Sequence, residues 1–159
     1  MSEIGYALSS EEHGPNDLIR YAQRAEQVGF SFALISDHYH PFSTAGGGMK
    51  SAYGQLTVCW APTEELARKI AREWWPTAGF PPELNTELAL PQHFAQVASL
   101  LSTEAVAKTI VCGPNPELYI ASIRKYFDAG YDYVYLHQIG PDQEGFFRFC
   151  EKEVLPKFH

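Results

Sequence analysis

The first 35 residues hold the pattern that most limits the fold: two short apolar runs on either side of an amphipathic segment. Residues 4–8 and 30–35 have the length and continuous apolar character of buried strands. The segment between them begins at Pro15, ends at Gly29 and repeats its apolar residues at helical spacing. A strand, a helix and a strand in so short a stretch predict a βαβ unit with parallel strands. The chain is therefore expected to be an α/β protein.

Further along the chain, two more segments have the character of strands, at residues 53–60 and 133–137. Thr63 and Asn115 are typical helix caps, and they predict a helix after each of them. Glycines at residues 46–48 indicate a linker over 43–52, and prolines indicate an insertion with short helices over 76–108. We expect one domain, 1–159, with four strands, short helices at 92–101 and 103–108, and a last helix over 146–155.

Composition excludes several kinds of partner. A formal net charge of −7, with 12 Lys and Arg in total, argues against binding to nucleic acid or to an anionic membrane. The sequence has neither a typical signal peptide at its start nor an apolar run of about 18 residues. Cys59, Cys112 and Cys150 are widely spaced, which predicts free thiols and a cytoplasmic protein.

Polar residues follow each predicted strand, at the end where parallel β/α proteins bind their ligands. The densest group is residues 36–42, where Asp37, His38 and His40 stand close to Phe42. A histidine beside a carboxylate can accept or donate a proton, so His38 is a candidate acid/base group. The alternatives are an ordinary surface loop and a metal site, for which His137 or Glu11 would have to supply a third ligand. The other candidates at these strand ends are Glu11, Trp60, His137 and Gln138.

Two blocks of sequence resemble luciferase-like oxidoreductases that use a flavin or a deazaflavin. The first is 1–42, which includes Ser-Asp-His-Tyr-His-Pro at 36–41. The second is 46–158, which includes His-Gln-Ile-Gly-Pro-Asp-Gln at 137–143. The branch most similar to the chain is that of the glucose-6-phosphate dehydrogenases that use coenzyme F420. The resemblance implies a partial, half TIM-type (β/α) barrel, with the first and last strands present and the middle strands absent.

The resemblance also implies roles for individual residues. Asp37 and His38 match cofactor-contacting positions, and His38 and Glu11 match catalytic ones. Phe42 matches an aromatic residue against the substrate. We expect substrate contacts from Phe42, His40, Trp60, His137 and Gln138, no metal, and F420 as cofactor, with FMN as the alternative.

Two functions remain open at this point. One is hydride transfer between a deazaflavin and a small organic substrate, such as a sugar or an alcohol. The other is an inactive half-barrel remnant or assembly module that binds no cofactor. In either case, the last strand of a barrel pairs with the first, which predicts the strand order 53–60, 133–137, 4–8, 30–35. An open half barrel of this order would leave the strands 53–60 and 30–35 as unpaired edges and its apolar inner face in water. We therefore expect a homodimer formed through the sheet edges.

Overall fold

The computed structural model describes residues 2–35, 53–81 and 90–158. The positions of Asp37, His38, His40 and Phe42 and the predicted linker at 43–52 lie outside the described residues. The described elements, in chain order, are β1 (Glu3–Leu8), α1 (Pro15–Val28), β2 (Phe32–Ile35), β3 (Tyr53–Cys59), α2 (Glu64–Trp74), a 3-10 turn (Pro76–Gly79), α3 (Pro91–Leu100), α4 (Thr103–Ala107), β4 (Val111–Cys112), α5 (Pro116–Asp128), β5 (Tyr133–Gln138) and α6 (Gln143–Phe149).

The strands form one parallel sheet in the order β2-β1-β5-β3-β4, with helices around it. The predicted α/β class and the predicted order of four strands are confirmed. The prediction of β3 as an outer edge was wrong, because β4 pairs with it in parallel through Val58↔Val111 and Cys59↔Cys112. β4 has only two residues, too few to show any periodicity in the sequence. In the described part of the chain, the sheet is not closed into a barrel.

The helix boundaries follow local signals that the sequence carries. The hydroxyl of Thr63 accepts a hydrogen bond from the N–H of Leu66, which caps α2. Gly29 ends α1 with a φ of 100°, a left-handed conformation that costs glycine little. The predicted last helix is less regular than expected, since α6 continues as a π-helix at Cys150–Val154 and a 3-10 turn at Leu155–Lys157. No helix among the described residues is long and apolar enough to span a membrane.

The residues divide into two compact units. The first contains residues 1–56, 116–137 and 147–159, and its core lies on one face of β1 and β5. In this core, the ring of Tyr6 lies 4.9 Å from that of Phe147 and 5.8 Å from that of Phe30. Val134 and Leu136, on the same face, are fully buried. This face of the sheet is therefore a closed hydrophobic core.

The second unit contains residues 57–115 and 138–146. Its core includes Cys59 and Cys112 from the paired strands, together with small residues of α2 such as Ala67 and Ala71. Small side chains let a helix approach a strand closely. Both cysteines are thus packing residues in an apolar environment.

The described residues cover the opposite face of the first unit only in part. We call it the open face and define it by six residues on β2, β3 and β5: Phe32, Tyr53, Gln55, Tyr133, Tyr135 and His137. The rings of Tyr53 and Tyr133 stack at 4.6 Å, and Phe32 meets both of them edge-on. The sequence predicted an apolar inner face. That prediction fits one end of the open face, where the rings of Phe32, Tyr53 and Tyr133 lie together. It was wrong for the carboxyl end of the face, where Gln55 and His137 are polar.

The cysteines should be free and slow to react in the native protein. Burial raises the pKa of the Cys112 thiol to about 11, from an ordinary 9.0. Burial also raises the pKa of the Cys150 thiol. At neutral pH this leaves Cys112 with about a hundredfold less thiolate than an ordinary thiol, and alkylation should slow accordingly. Mass spectrometry after iodoacetamide treatment, with and without urea but never with reductant, measures this. Fewer than three labels in unfolded protein, or equal rates in both conditions, would contradict the prediction.

Candidate functional site

The carboxyl end of the open face holds a buried pair of ionisable side chains. His137 is the fifth residue of β5, and its Nε2 atom lies 3.0 Å from Oε2 of Glu12. Both side chains are only 6% exposed. Glu12 is placed by a tight turn after β1, in which the N–H groups of Glu12 and His13 donate to the carbonyl of Ser9. The pairing of β1 with β5 thus brings an imidazole and a carboxylate together.

The other nitrogen of the imidazole is engaged as well. Nδ1 of His137 lies 3.3 Å from Nε2 of Gln55 on β3. Oε1 of Gln55 accepts a hydrogen bond of 3.2 Å from the hydroxyl of Tyr135. Side chains from β3, β5 and the loop after β1 therefore form one continuous set of hydrogen bonds.

Two tyrosines next to this set have raised pKa values. Burial raises the pKa of the Tyr135 phenol. Burial is also the main cause of the raised pKa of Tyr126, with smaller contributions from Tyr131 and Tyr135. The hydroxyl of Tyr126 donates to the main-chain oxygen of Gln55 at 2.7 Å. Both phenols thus keep their protons at neutral pH and act as hydrogen-bond donors.

Sequence reasoning selected Glu11 in the loop after β1, and the structure places the adjacent Glu12 against His137. Glu11 is exposed, and a catalytic role for it stays a prediction. Two neighbouring carboxylates give no sequence signal for which of them turns inward. Gln55 and Tyr135 were also missed. The available signal was the two-residue period of a strand, which puts Tyr135 on the same face as His137.

Trp60 and Gln138 are brought together in the second unit. Oε1 of Gln138 accepts a 2.8 Å hydrogen bond from the main-chain N–H of Trp60. Its Nε2 donates to the main-chain oxygens of Ile139 at 2.9 Å and of Trp60 at 3.4 Å. Gln138 is 2% exposed, so its amide is used inside the protein to hold the end of β3. Substrate contacts from Trp60 and Gln138 stay predictions.

A second buried glutamine, Gln143, supports the same turn and was not selected from the sequence. Its Nε2 donates to the main-chain oxygens of Gln138 at 3.0 Å and of Gly140 at 2.9 Å. Side-chain amides can satisfy main-chain groups that leave a strand without a partner strand. The polar residues of this turn are therefore arranged for support of the main chain.

The proposed metal alternative gains no support from the described residues. Among them, no group of three or more His, Cys, Asp and Glu side chains is arranged to hold a metal ion. The segment with Asp37, His38 and His40 lies outside that search.

The chain is similar to dehydrogenases that use coenzyme F420. No family model matches the chain. The F420-dependent glucose-6-phosphate dehydrogenase of Amycolatopsis mediterranei is 32% identical over 106 residues, 67% of this chain and 30% of the relative. That of Kribbella flavida is 48% identical over 44 residues, 28% of this chain and 13% of the relative. The chain is a homologue of these dehydrogenases.

The aligned part spans less than a third of the length of the curated relatives. A dehydrogenase of Rhodococcus jostii, 28% identical over 65% of the chain, is likewise matched over 30% of its length. A solved F420-dependent secondary alcohol dehydrogenase, in complex with an F420-acetone adduct, has a TM-score of 0.70 over 98% of this chain and 99% of that one. Its identity is 12%, so this likeness concerns the fold alone. The resemblance found in the sequence is thereby confirmed.

Gln138 should matter for stability, since replacing this buried residue with leucine removes the acceptor for the partly buried N–H of Trp60. We expect Gln138→Leu to lower the free energy of unfolding by about 2 kcal/mol, the usual cost of a buried unpaired donor. Urea titration followed by circular dichroism measures the change. The control is Gln27→Leu at an exposed position of α1, where we expect little effect. Equal midpoints for the two variants would contradict the supporting role.

Proposed function

We propose that this chain is an F420-dependent oxidoreductase component that acts on a small organic substrate with an oxidisable hydroxyl group. The homologous dehydrogenases carry this activity in their names. The observation that carries the proposal is the buried Glu12–His137 pair at the carboxyl end of β5. Parallel β/α proteins bind ligands at this end of their strands.

The chemistry of the open face fits a deazaflavin. The cofactor has a flat heteroaromatic ring with polar edges, and the face offers aromatic rings, phenol hydroxyls and an imidazole. We propose that Asp37 and His38 contact the cofactor, as the resemblance implies. When bound, F420 supplies a two-electron hydride carrier.

We assign proton transfer and substrate orientation to side chains of this protein. Oxidation of an alcohol releases a proton from its hydroxyl group, and the imidazole of His38 is our proposed acceptor. Glu11 is the proposed second catalytic carboxylate. We propose that the substrate is oriented by Phe42, His40, Trp60, His137 and Gln138.

The second candidate function is that of a half-barrel assembly module without cofactor. The observation that favours it is the sheet of the described residues, which has two edges and is not closed. Cofactor binding separates the two candidates.

Purified protein should bind F420 in a titration followed by ring fluorescence, and more tightly than FMN. His38→Ala should then lower the rate of substrate oxidation about a hundredfold, the usual range for a lost acid/base group. His93→Ala on α3 is the matched control and should retain the wild-type rate. Absence of binding at high micromolar F420 would favour the assembly module, and an unchanged rate in His38→Ala would remove this residue from the mechanism.

We also propose that the chain forms a homodimer through the exposed edge of its sheet. β2 lies at that edge, and among the described strands it pairs with β1 alone. Leu34 and Ile35 are exposed there, Ile35 by 56%. Unpaired strand edges with apolar side chains favour association with another strand. At the other side of the sheet, the two-residue β4 already covers β3.

Sedimentation equilibrium at low micromolar concentration should give a mass of about twice 17.8 kDa. A charge at the β2 edge, as in Ile35→Lys, should weaken the dimer about tenfold or more, because it would be buried unpaired. Leu100→Lys, at another exposed apolar position, on α3, is the control. A monomeric wild-type protein would contradict the proposal, as would equal weakening by both variants.

The cysteines of the chain bear on its cellular location. Cys59, Cys112 and Cys150 are all buried, and their wide spacing in the sequence predicts that they stay reduced. Proteins of a reducing compartment usually keep their thiols in this state. We propose the cytoplasm as that compartment.

A further inference from the structure

Four side chains in the first unit form what we call the relay: Tyr135, Gln55, His137 and Glu12. Their contacts run in sequence, with 3.2 Å from Tyr135 to Gln55, 3.3 Å from Gln55 to His137 and 3.0 Å from His137 to Glu12. The last two side chains are 6% exposed. The bond between His137 and Glu12 therefore has a well-defined direction, because a wrong direction leaves a buried polar atom facing a like one. The bond between Tyr135 and Gln55, at the other end of the relay, is exposed.

The carboxylate at the end of the relay sets these directions. An ionised Glu12 is an acceptor only, so the Nε2 atom of His137 must carry a hydrogen to donate to it. In a neutral imidazole, Nδ1 is then an acceptor, which the side-chain amine of Gln55 satisfies as donor. The oxygen of the same amide is left to accept from Tyr135, as the structure has it. Each bond is consistent with the next.

The other neutral tautomer of His137, with the hydrogen on Nδ1, is disfavoured at its contact with Glu12. If the hydrogen were on Nδ1, the bare Nε2 would face the oxygen of Glu12, lone pair against lone pair. Rotating the amide of Gln55 would repair the contact at Nδ1 and leave this repulsion in place. The carboxylate therefore decides the state of the whole relay through its contact with His137.

We propose that Glu12, Gln55 and Tyr135 are positioning residues that hold the imidazole of His137 as the Nε2–H tautomer in one fixed orientation. In this state both ring nitrogens of His137 already have protein partners. The imidazole of His137 is therefore fixed at the carboxyl end of β5. Another group carries out proton transfer with a substrate. Only this last consequence rests on the proposed function; the tautomer does not.

Nitrogen NMR of protein labelled with 15N-histidine reads the tautomer directly and needs neither cofactor nor substrate. We expect the wild-type His137 signals at neutral pH to be those of a protonated Nε2 and an unprotonated Nδ1. His137→Asn identifies these signals by their loss. A wild-type spectrum with the hydrogen on Nδ1, or with both nitrogens protonated, would overturn the inference.

Glu12→Gln tests the deciding role of the carboxylate, because an amide can accept or donate and so fits either tautomer. We expect the ratio of the two tautomers to move toward unity by about tenfold or more, as the loss of a charged hydrogen bond predicts. Glu26→Gln, an exposed change of the same charge on α1, should leave the ratio unchanged. A ratio unchanged in Glu12→Gln would overturn the inference.

If Glu12→Gln does not fold, two tyrosine substitutions provide a milder test and its matched control. Tyr135→Phe removes the donor to the side chain of Gln55, whereas Tyr126→Phe removes a donor to the main-chain oxygen of the same residue. We expect about a fivefold change of the ratio in the first variant and none in the second. Equal effects would overturn the relay. Failure to bind F420 would count against the proposed function alone, since the tautomer signal does not depend on it.

Discussion

The parallel pairing of β1 with β5 is the constraint on which the first unit depends. It joins the beginning of the chain to a strand more than 120 residues later, through partners such as Glu3↔Tyr133 and Tyr6↔Leu136. In that register, one face of the two strands carries apolar side chains that the helices bury. The other face carries His137 beside the turn that holds Glu12. Core and candidate site are thus two consequences of one strand pairing.

Much of this fold could be predicted from the sequence because its signals are local. Apolar runs, a proline at a helix start and Gly29 in a left-handed conformation act within a few residues of where they stand. The pairing order of four strands followed from the rule that the last strand of such a barrel meets the first. β4 was not predicted, because a strand of two residues is too short to show an alternating pattern in the sequence.

The site was harder to predict than the fold, and the reason is geometric. Its contacts join residues more than 80 positions apart, such as Gln55 with His137 and Glu12 with His137. A sequence shows that a residue follows a strand, but it does not show which of two adjacent carboxylates turns inward. Gln138, by contrast, is a residue that the sequence did single out. Its position after a strand suggested ligand binding, while in the structure its amide bonds to the main chain.

The unequal lengths of the two sheet edges have a consequence for how copies of the chain could assemble. Head-to-tail growth of a filament requires an edge of one kind to bind an edge of the other kind, again and again. Among the described residues, β4 offers two residues to such a contact, whereas β2 offers four. A ladder of two residues provides few main-chain hydrogen bonds, so β4 is a poor template for continued addition. In a homodimer of the kind proposed, the short strand would therefore disfavour further growth into fibres.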